Sequence, residues 1–411
     1  MNKDIIITID SKLAWIRLCL VFFICGIGFI GMWSVVMIMP AIQNEFKIDR
    51  SSMVIPYILT MIGFGVGNII VGKYADQYGI IKPIIYAFCL LIFAYLLSII
   101  SRNIVMLSIF QCLLGFSSAT FFGPMMVDIT KFFKKNRGLA VSIIASSQHL
   151  AGAIWPFLLE FFLKSGDWRK SHIFIAIVCL IFIPPICYFI FKMKPVKGLQ
   201  TSNIKFDEYS EQNKIPISNK HLQILLMIAG VGCCVGMSTP QVHIIPICMD
   251  IGYDISIGNE ILSIMLFCAV ISRILFGYIA DKIGPLETLL LGSVLQAITL
   301  SLFIPFDDIN SLLIISILFG LSQGGIVPSY ALIVRKYLPG KQVAERVGLV
   351  IFMTVVGMSI GGWMSGKIFD ITNSYTLGFL NSVFWNLINI SIILFIFIII
   401  KKSNKAKQID I

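Results

Sequence analysis

The sequence has few charged side chains, and this scarcity excludes an ordinary soluble protein. Only 13% of its 411 residues are charged, whereas about 25% is usual for soluble domains. Hydrophobic residues make up 57% of the chain. A chain of this composition is typical of proteins that lie within a lipid bilayer.

Several catalytic and metal-binding patterns are also missing. The sequence contains no P-loop, no H-E-x-x-H and no G-x-S-x-G, so ATP-driven transport and hydrolytic chemistry are unsupported. Its ten cysteines include no C-x-x-C spacing, and nearly all lie in apolar runs, where cysteine acts as a small apolar side chain. We therefore predict neither an enzyme nor a protein with a metal or another cofactor.

Long apolar runs dominate what is present. A bilayer-spanning helix needs about 20 apolar residues, and β-barrel strands would show alternating polarity, which these runs lack. We therefore predict an all-α membrane protein with twelve transmembrane helices. The runs are 18–39, 53–72, 83–101, 104–127, 138–159, 172–191, 222–245, 257–279, 286–305, 311–333, 347–366 and 376–400.

The basic residues are distributed unevenly between the two sides of the predicted membrane. With both termini on one side, 24 of the 32 Lys and Arg lie in segments on that side, 7 lie opposite, and Arg273 lies within a span. This asymmetry follows the positive-inside rule. It predicts a multi-pass protein of the plasma (inner) membrane with cytoplasmic termini. The net charge of +11 then indicates contact with anionic lipids rather than nucleic acid.

The apolar runs divide six and six around a polar, lysine-rich segment. We predict an N-terminal six-helix bundle over 1–192, a cytoplasmic linker over 193–220 and a C-terminal six-helix bundle over 221–411. A repeated G-x-x-x-D-x-x-G turn follows the second run of each half, at a constant offset of 205 residues. Its residues are Gly72, Asp76 and Gly79 in the first copy, and Gly277, Asp281 and Gly284 in the second.

These paired bundles and doubled turns resemble the major facilitator superfamily over essentially the whole chain. The resemblance implies two pseudo-symmetric bundles with a substrate site between them near the bilayer midplane. It also implies that the first motif Gly allows close helix approach and that the Asp stabilises a neighbouring helix start when the cytoplasmic side is closed. The family usually has basic residues after the Asp and after the second Gly. The first copy departs from this pattern with Gln77, Ile80 and Ile81, and the second copy keeps only Lys282.

Arg273 is the strongest candidate for a functional residue, because a charge at mid-span costs about 2.5–3.5 kcal/mol on insertion scales. Helical spacing puts it on a stripe with Ala269, Gly277 and Ala280, which suits close packing or a cavity wall better than lipid. A permanently charged guanidinium facing a cavity would select anions. The alternative is a structural salt bridge to an acidic residue in another span.

Arginine four residues before the motif Gly also resembles the monocarboxylate-porter and oxalate–formate-exchanger branch of the superfamily. The resemblance implies that Arg273 binds the substrate carboxylate. Members that exchange dicarboxylates carry a Lys in the eleventh helix, which this chain lacks. One positive charge therefore favours a monoanion over a dianion.

Other polar residues in the apolar runs complete the predicted site. His149 titrates near neutral pH and can bind substrate or carry a coupling proton; the alternative is a neutral packing histidine. His243 lies in a run bent by Pro240 and Pro246, which predicts a gate or a second proton-coupling residue. Gln148, Gln241 and Gln323 are predicted to contact substrate, although buried amides also hold helices together.

These features predict a secondary transporter for a small organic monoanion, working by alternating access as a proton symporter or an exchanger. The predicted partners are the anion, the lipid bilayer and, for a symporter, protons, with the chain acting as a monomer. Two alternatives remain. One is efflux of amphipathic compounds, and the other is a membrane sensor that transports nothing.

Overall fold

The computed structural model describes residues 5–195, 216–305, 308–338 and 343–409. Within these residues, twelve helical segments are long and apolar enough to cross a membrane. They are called span 1 to span 12 in chain order. In a bilayer every backbone N–H and C=O must be paired within the protein, which explains why long apolar runs fold as helices. The predicted all-α fold with twelve transmembrane helices is confirmed.

Eight of these spans are single helices and four are made of shorter ones. The single helices are Ile81–Ile99 (span 3), Arg137–Lys164 (span 5), Trp168–Lys192 (span 6), Asn219–Asp250 (span 7), Ile255–Ile283 (span 8), Pro285–Leu302 (span 9), Val343–Thr372 (span 11) and Thr376–Ile409 (span 12). The others are Lys12–Gly28 with Ile30–Phe46 (span 1), Arg50–Met53 with Ile55–Tyr78 (span 2), Ile104–Ser118 with Ala119–Phe121 and Gly123–Ile129 (span 4), and Ile309–Gln323 with Ile326–Tyr337 (span 10).

Spans 4 and 10 are interrupted at corresponding places in the two sequence halves. Span 4 breaks at Phe122, whose ψ of −95° lies outside the helical range and which precedes Pro124. Span 10 breaks at Gly324 and Gly325. Glycine and proline weaken helices because one adds backbone freedom and the other removes a hydrogen bond. Each break therefore leaves backbone polar groups that neighbouring spans can contact.

Two compact units divide the chain. The first comprises Met1–Ser202 with Ile244–Val270, and the second comprises Asn203–His243 with Ile271–Ile411. Spans 7 and 8 therefore contribute residues to both units. The predicted linker 193–220 lies largely on residues 196–215, outside the described residues, so the predicted domain boundaries stay a prediction.

Small residues allow close helix packing inside each unit. In the first unit, a methyl group added at Gly63 or Gly115 would overlap the backbone carbonyl of Cys112 or Thr60, respectively. Spans 2 and 4 are thus packed backbone against backbone. In the second unit, Gly361 of span 11 meets the backbone of span 7 in the same way. Close approach between small residues is the usual basis of helix association in membranes.

A two-stranded parallel sheet lies outside the spans and was not predicted. Strand β1 (Ile5–Ile7) pairs with strand β2 (Met193–Pro195), with Ile5 opposite Met193. Beyond β1, Asp10 accepts hydrogen bonds from the backbone N–H groups of Lys134 and Lys135 at 3.2 and 3.0 Å. The N-terminal segment is therefore attached both to the end of span 6 and to the loop between spans 4 and 5.

The two motif turns share one backbone conformation. Gly79 and Gly284 end their helices with φ of +78° and +100°, and each donates its N–H to the carbonyl four residues earlier, that of Ala75 and Ala280, respectively. Residues with a side chain rarely adopt positive φ. The last Gly of the motif is therefore required by the turn itself.

Candidate functional site

Arg273 lies against the break in span 10, inside the second unit. Its Nε donates to the carbonyl oxygen of Gly324 at 3.3 Å, and the side chain is buried. The neighbouring Ser272 Oγ donates to the carbonyl of Leu321 at 2.6 Å and accepts from the N–H of Gly324 at 3.1 Å. Span 8 thus supplies the hydrogen bonds that the interrupted span 10 lacks, and these bonds orient the guanidinium.

Gly324 permits this contact because it has no side chain. A methyl group placed there would overlap the backbone nitrogen of Arg273 and the backbone and hydroxyl of Ser272. The two spans therefore touch through their backbones at the position of the buried cation.

Gln323 and Gln241 extend the cluster. The two amides are buried and joined by a hydrogen bond from Gln241 Nε2 to Gln323 Oε1. The other end of Gln323, its Nε2, is buried and has no hydrogen-bond partner among the described residues. Gln323 directly precedes Gly324, whose carbonyl accepts the hydrogen bond from Arg273. An amide whose Nε2 has no partner among the described residues is therefore adjacent in sequence to the residue that contacts the guanidinium. Three predicted site residues, Arg273, Gln241 and Gln323, are thus brought together.

The first half of the sequence contains a neutral counterpart of this cluster. The motif offset of 205 residues makes Asn68 of span 2 the counterpart of Arg273. Asn68 Oδ1 accepts from the N–H of Gly123, at the break in span 4, at 3.4 Å, and Nδ2 donates to the carbonyl of Phe64 at 2.9 Å. Both repeats use this position to contact the broken span, but only the second puts a charge there.

Gln148 and His149 belong to the first unit, on span 5. The Nε2 of Gln148 lies 3.2 Å from the sulfur of Met32, and its backbone carbonyl accepts from the indole N–H of Trp33 at 2.8 Å. His149 is buried, with 6% of its surface exposed. A methyl group added at Gly152 would overlap Leu266 of span 8 and crowd the Trp33 ring. These side chains therefore lie where spans 1, 5 and 8 are in contact.

His243 is held within the second unit by two neighbours. Its Nδ1 lies 3.1 Å from the hydroxyl of Tyr375, and its Nε2 lies 2.8 Å from the carbonyl oxygen of Gly362. One histidine nitrogen that faces a carbonyl must carry a proton to donate. Span 7 also runs unbroken through Pro240 and Pro246. The bonds of His243 indicate helix packing, and its role as a gate or proton carrier stays a prediction.

The remaining motif residues are partly described. Asp281 is exposed, and the side chain of Asp76 lies outside the described residues. A methyl group added at Gly72 would meet no atom within 4 Å, so the close approach implied by the resemblance is not observed there.

A buried ion pair has its arginine just before the first predicted apolar run, 18–39, and the sequence does not predict it. Arg17 lies inside span 1 and pairs with Asp128 of span 4 at 2.5 Å, with side-chain exposures of 4% and 8%. It also donates to the carbonyls of Ile190 and Met193, at 2.7 and 2.8 Å, and its guanidinium lies 4.2 Å from the centre of the Phe132 ring. The sequence indicates its burial only through the four apolar residues that stand on each side of it.

A family model described as the Major Facilitator Superfamily matches residues 21–258 and 224–410. The chain belongs to the major facilitator superfamily. The family-level resemblance seen in the motifs is confirmed, and a superfamily of transporters accounts for twelve spans and two six-span sequence repeats.

The proteins to which this chain is similar are named for different transported compounds. The agnestins efflux protein AgnL12 of Paecilomyces divaricatus is 22% identical over 351 residues, which cover 84% of this chain and 78% of that protein. Monocarboxylate transporter 13 of Rattus norvegicus is 21% identical over 267 residues, which cover 64% of this chain and 61% of that protein.

A solved structure of a superfamily transporter also resembles this chain. A mutant of the nucleoside transporter NupG superposes with a TM-score of 0.68 at 12% identity, covering 93% of this chain and 100% of that one. At this identity the likeness shows the fold alone.

Proposed function

We propose that this superfamily member carries a small organic monoanion, with Arg273 as the ligand of its carboxylate. The observation that supports this proposal is the cluster at the span 10 break. It combines a buried guanidinium, oriented by the Gly324 carbonyl, with the amide of Gln323, whose Nε2 has no partner among the described residues.

The chemistry of the cluster suits a carboxylate. A guanidinium offers a planar fork of N–H donors that matches the two carboxylate oxygens, and the Gln323 amide adds a neutral donor. Both are buried, and charge-assisted hydrogen bonds are stronger in a low-dielectric interior than in water. An apolar or cationic solute would gain nothing from these groups.

Transport then requires that the site open to each side of the membrane in turn. In our proposal the two repeats rock, and the turns at Asp76 and Asp281 regulate closure on the cytoplasmic side. His149 carries a coupling proton or, with Gln148, contacts the substrate. The protein works as a monomer in the plasma membrane with both termini in the cytoplasm.

Uptake of labelled L-lactate and pyruvate into proteoliposomes, with and without a proton gradient, tests the proposal. Arg273→Gln keeps a polar side chain but removes the charge, so uptake should fall by tenfold or more, corresponding to roughly 1.4 kcal/mol or more of lost binding. Arg102→Gln is the matched control, because Arg102 is exposed between spans 3 and 4. Normal uptake by folded Arg273→Gln would remove Arg273 from the site.

Export of amphipathic compounds is a second candidate, supported by the similarity to the efflux protein AgnL12. The same vesicles distinguish the two. Efflux of an uncharged amphipathic dye that is insensitive to Arg273→Gln, without lactate or pyruvate flux, would favour export over anion transport.

A further inference from the structure

Span 8 carries a second pair of buried polar side chains, outside the Arg273 cluster. Asn259 and Ser263 are 3% and 1% exposed and belong to the first unit. They are four residues apart, so they lie on the same face of the helix one turn from each other. Ser263 is separated from Arg273 by ten residues of the same helix, about 15 Å along its axis.

The side-chain polar atoms of this pair lack hydrogen-bond partners among the described residues. Neither the amide nitrogen and oxygen of Asn259 nor the hydroxyl of Ser263 has a hydrogen-bond partner in the described part of the chain. Several other buried serines of this protein bond to a carbonyl of their own helix, as Ser329 does with that of Gly325 at 2.7 Å. Burying unpaired donors and acceptors is costly and rare. An unpaired amide and an unpaired hydroxyl on one face therefore indicate a site that is satisfied in another state of the molecule.

An apolar contact separates this pair from the cation along span 8. Leu266 follows Ser263 by less than one turn and lies against Gly152 of span 5 and, beside it, Trp33 of span 1. Asn259 and Ser263 lie on the side of Leu266 nearer the helix start at Ile255, and Arg273 lies on the other side. The contact is tight, since a single added methyl at Gly152 would overlap Leu266.

We infer that Asn259 and Ser263 form a transient carboxylate-binding subsite, which is used when the Leu266 contact opens toward the Ile255 end of span 8. This inference rests on the proposed function. The amide supplies two N–H donors and the hydroxyl one, enough to replace part of the water around a carboxylate. Neither group is charged, so the subsite releases the anion easily, as a transit site must.

The first experiment uses thiol labelling in the full-length protein. Asn259→Cys and Ser263→Cys are treated with a membrane-impermeant cationic methanethiosulfonate reagent, in intact cells and in inside-out vesicles, with and without L-lactate. Reaction is expected from one side only and should slow severalfold in lactate. Phe267→Cys is the control. Phe267 is an exposed apolar residue of the same helix, a position that faces lipid in a membrane, so a charged reagent should not react there. The unsubstituted protein gives the background of its ten native cysteines.

Transport kinetics give an independent readout. In Asn259→Leu and Ser263→Ala, the KM for lactate measured from the labelled side should rise about tenfold, the usual effect of losing one hydrogen bond to a charged group. The KM from the opposite side and the melting temperature should stay unchanged. A purely structural role would instead change the melting temperature and leave the two KM values equal.

The outcomes separate this inference from the proposed function. If the wild type carries lactate while both cysteine variants fail to react or react equally fast in its presence, the subsite is overturned. If the wild type carries no monocarboxylate at all, the proposed function fails. Reaction of Asn259→Cys that is blocked by lactate in the Arg273→Gln background would show that the subsite binds independently of the cation.

Discussion

Single side chains in this protein show that its buried arginines have different surroundings. Arg17 is neutralised by Asp128 within the first unit, whereas Arg273 donates to a backbone carbonyl at a helix break. A charge paired with a carboxylate contributes to structure, because each partner lowers the cost of burying the other. The Gly324 carbonyl contacts Arg273 through Nε and so orients the guanidinium at the break in span 10.

The Arg17–Asp128 pair should be essential for stability. Arg17→Gln leaves the Asp128 carboxylate buried without its cation, which costs about 3–5 kcal/mol, and the melting temperature in detergent should fall clearly. Lys131→Gln is the matched control. Lys131 lies 3.3 Å from the other oxygen of Asp128 but is half-exposed, and such a pair contributes about 0–1 kcal/mol. Equal losses in the two variants would contradict this assignment.

Gly324 and Gly72 should respond in opposite ways to the same added methyl group. In Gly324→Ala the methyl overlaps the backbone of Arg273 and Ser272, which cannot move aside, so we expect a loss of about 1–3 kcal/mol and reduced lactate uptake. In Gly72→Ala the methyl meets open space inside a helix, so stability should be unchanged or rise by about 0.5–1 kcal/mol. Thermal unfolding of both variants measures the difference, and a larger loss for Gly72→Ala would refute it.

At the scale of helices and strands, hydropathy was sufficient to predict the spans but not their interruptions. A bilayer allows only segments whose backbone is fully hydrogen-bonded, so a run of 20 apolar residues without alternating polarity folds as a transmembrane helix. The break at Gly324 depends on Ser272 and Arg273, which are about 50 residues away in sequence and could not be inferred from local pattern. Strand β1 has only three residues, too few for a periodic signal, and its partner follows span 6.

The attachment of the N-terminal segment should depend on the charge of Asp10. Hydrogen bonds from backbone N–H groups, first that of Lys135, lower the pKa of Asp10 below its usual 3.8. Because the folded-state pKa is lowered, the stabilisation is present above pH 3.8 and is lost as pH falls through the lower folded value. Hydrogen exchange of the Ile5–Ile7 amides, corrected for intrinsic rates, should therefore speed up at low pH.

Asp10→Asn isolates the charge in this test. Asp10 has a φ of +54°, a conformation that Asn tolerates well, so the substitution should not strain the backbone. The variant should show weaker protection of Ile5–Ile7 at neutral pH and no further loss on acidification beyond the intrinsic change. Unaltered protection at neutral pH would show that strand pairing alone holds the segment.

At the scale of the whole molecule, two sequence repeats share a scaffold but not a charge. The position that contacts the broken span is Asn68 in one repeat and Arg273 in the other. The equivalence of Asn68 and Arg273 can be predicted from the motif offset in the sequence. That each of them contacts the interrupted span, span 4 or span 10, is seen only in the structure. Of these two equivalent positions only that of the second repeat carries a cation, which is the basis for proposing a monoanion as substrate.

A second ion pair joins the first six spans to span 7. Arg50, at the start of span 2, places Nη2 at 2.5 and 2.7 Å from the two carboxylate oxygens of Asp250, the last residue of the span 7 helix. Both belong to the first unit. If the two repeats separate during transport, this pair must break whenever the path opens at that end of the molecule.

Neutralising Arg50 should therefore ease that opening. In Arg50→Gln we expect the labelling of Asn259→Cys to accelerate about tenfold, corresponding to about 1.4 kcal/mol, and the charge swap Arg50→Asp with Asp250→Arg should restore the slower rate. Glu45→Gln is the matched control, because Glu45 pairs with Arg169 at 2.7 Å between spans 1 and 6, within one repeat. Removing that pair costs stability without affecting separation of the repeats, so equal acceleration in Glu45→Gln would show that Arg50 has no specific role in opening.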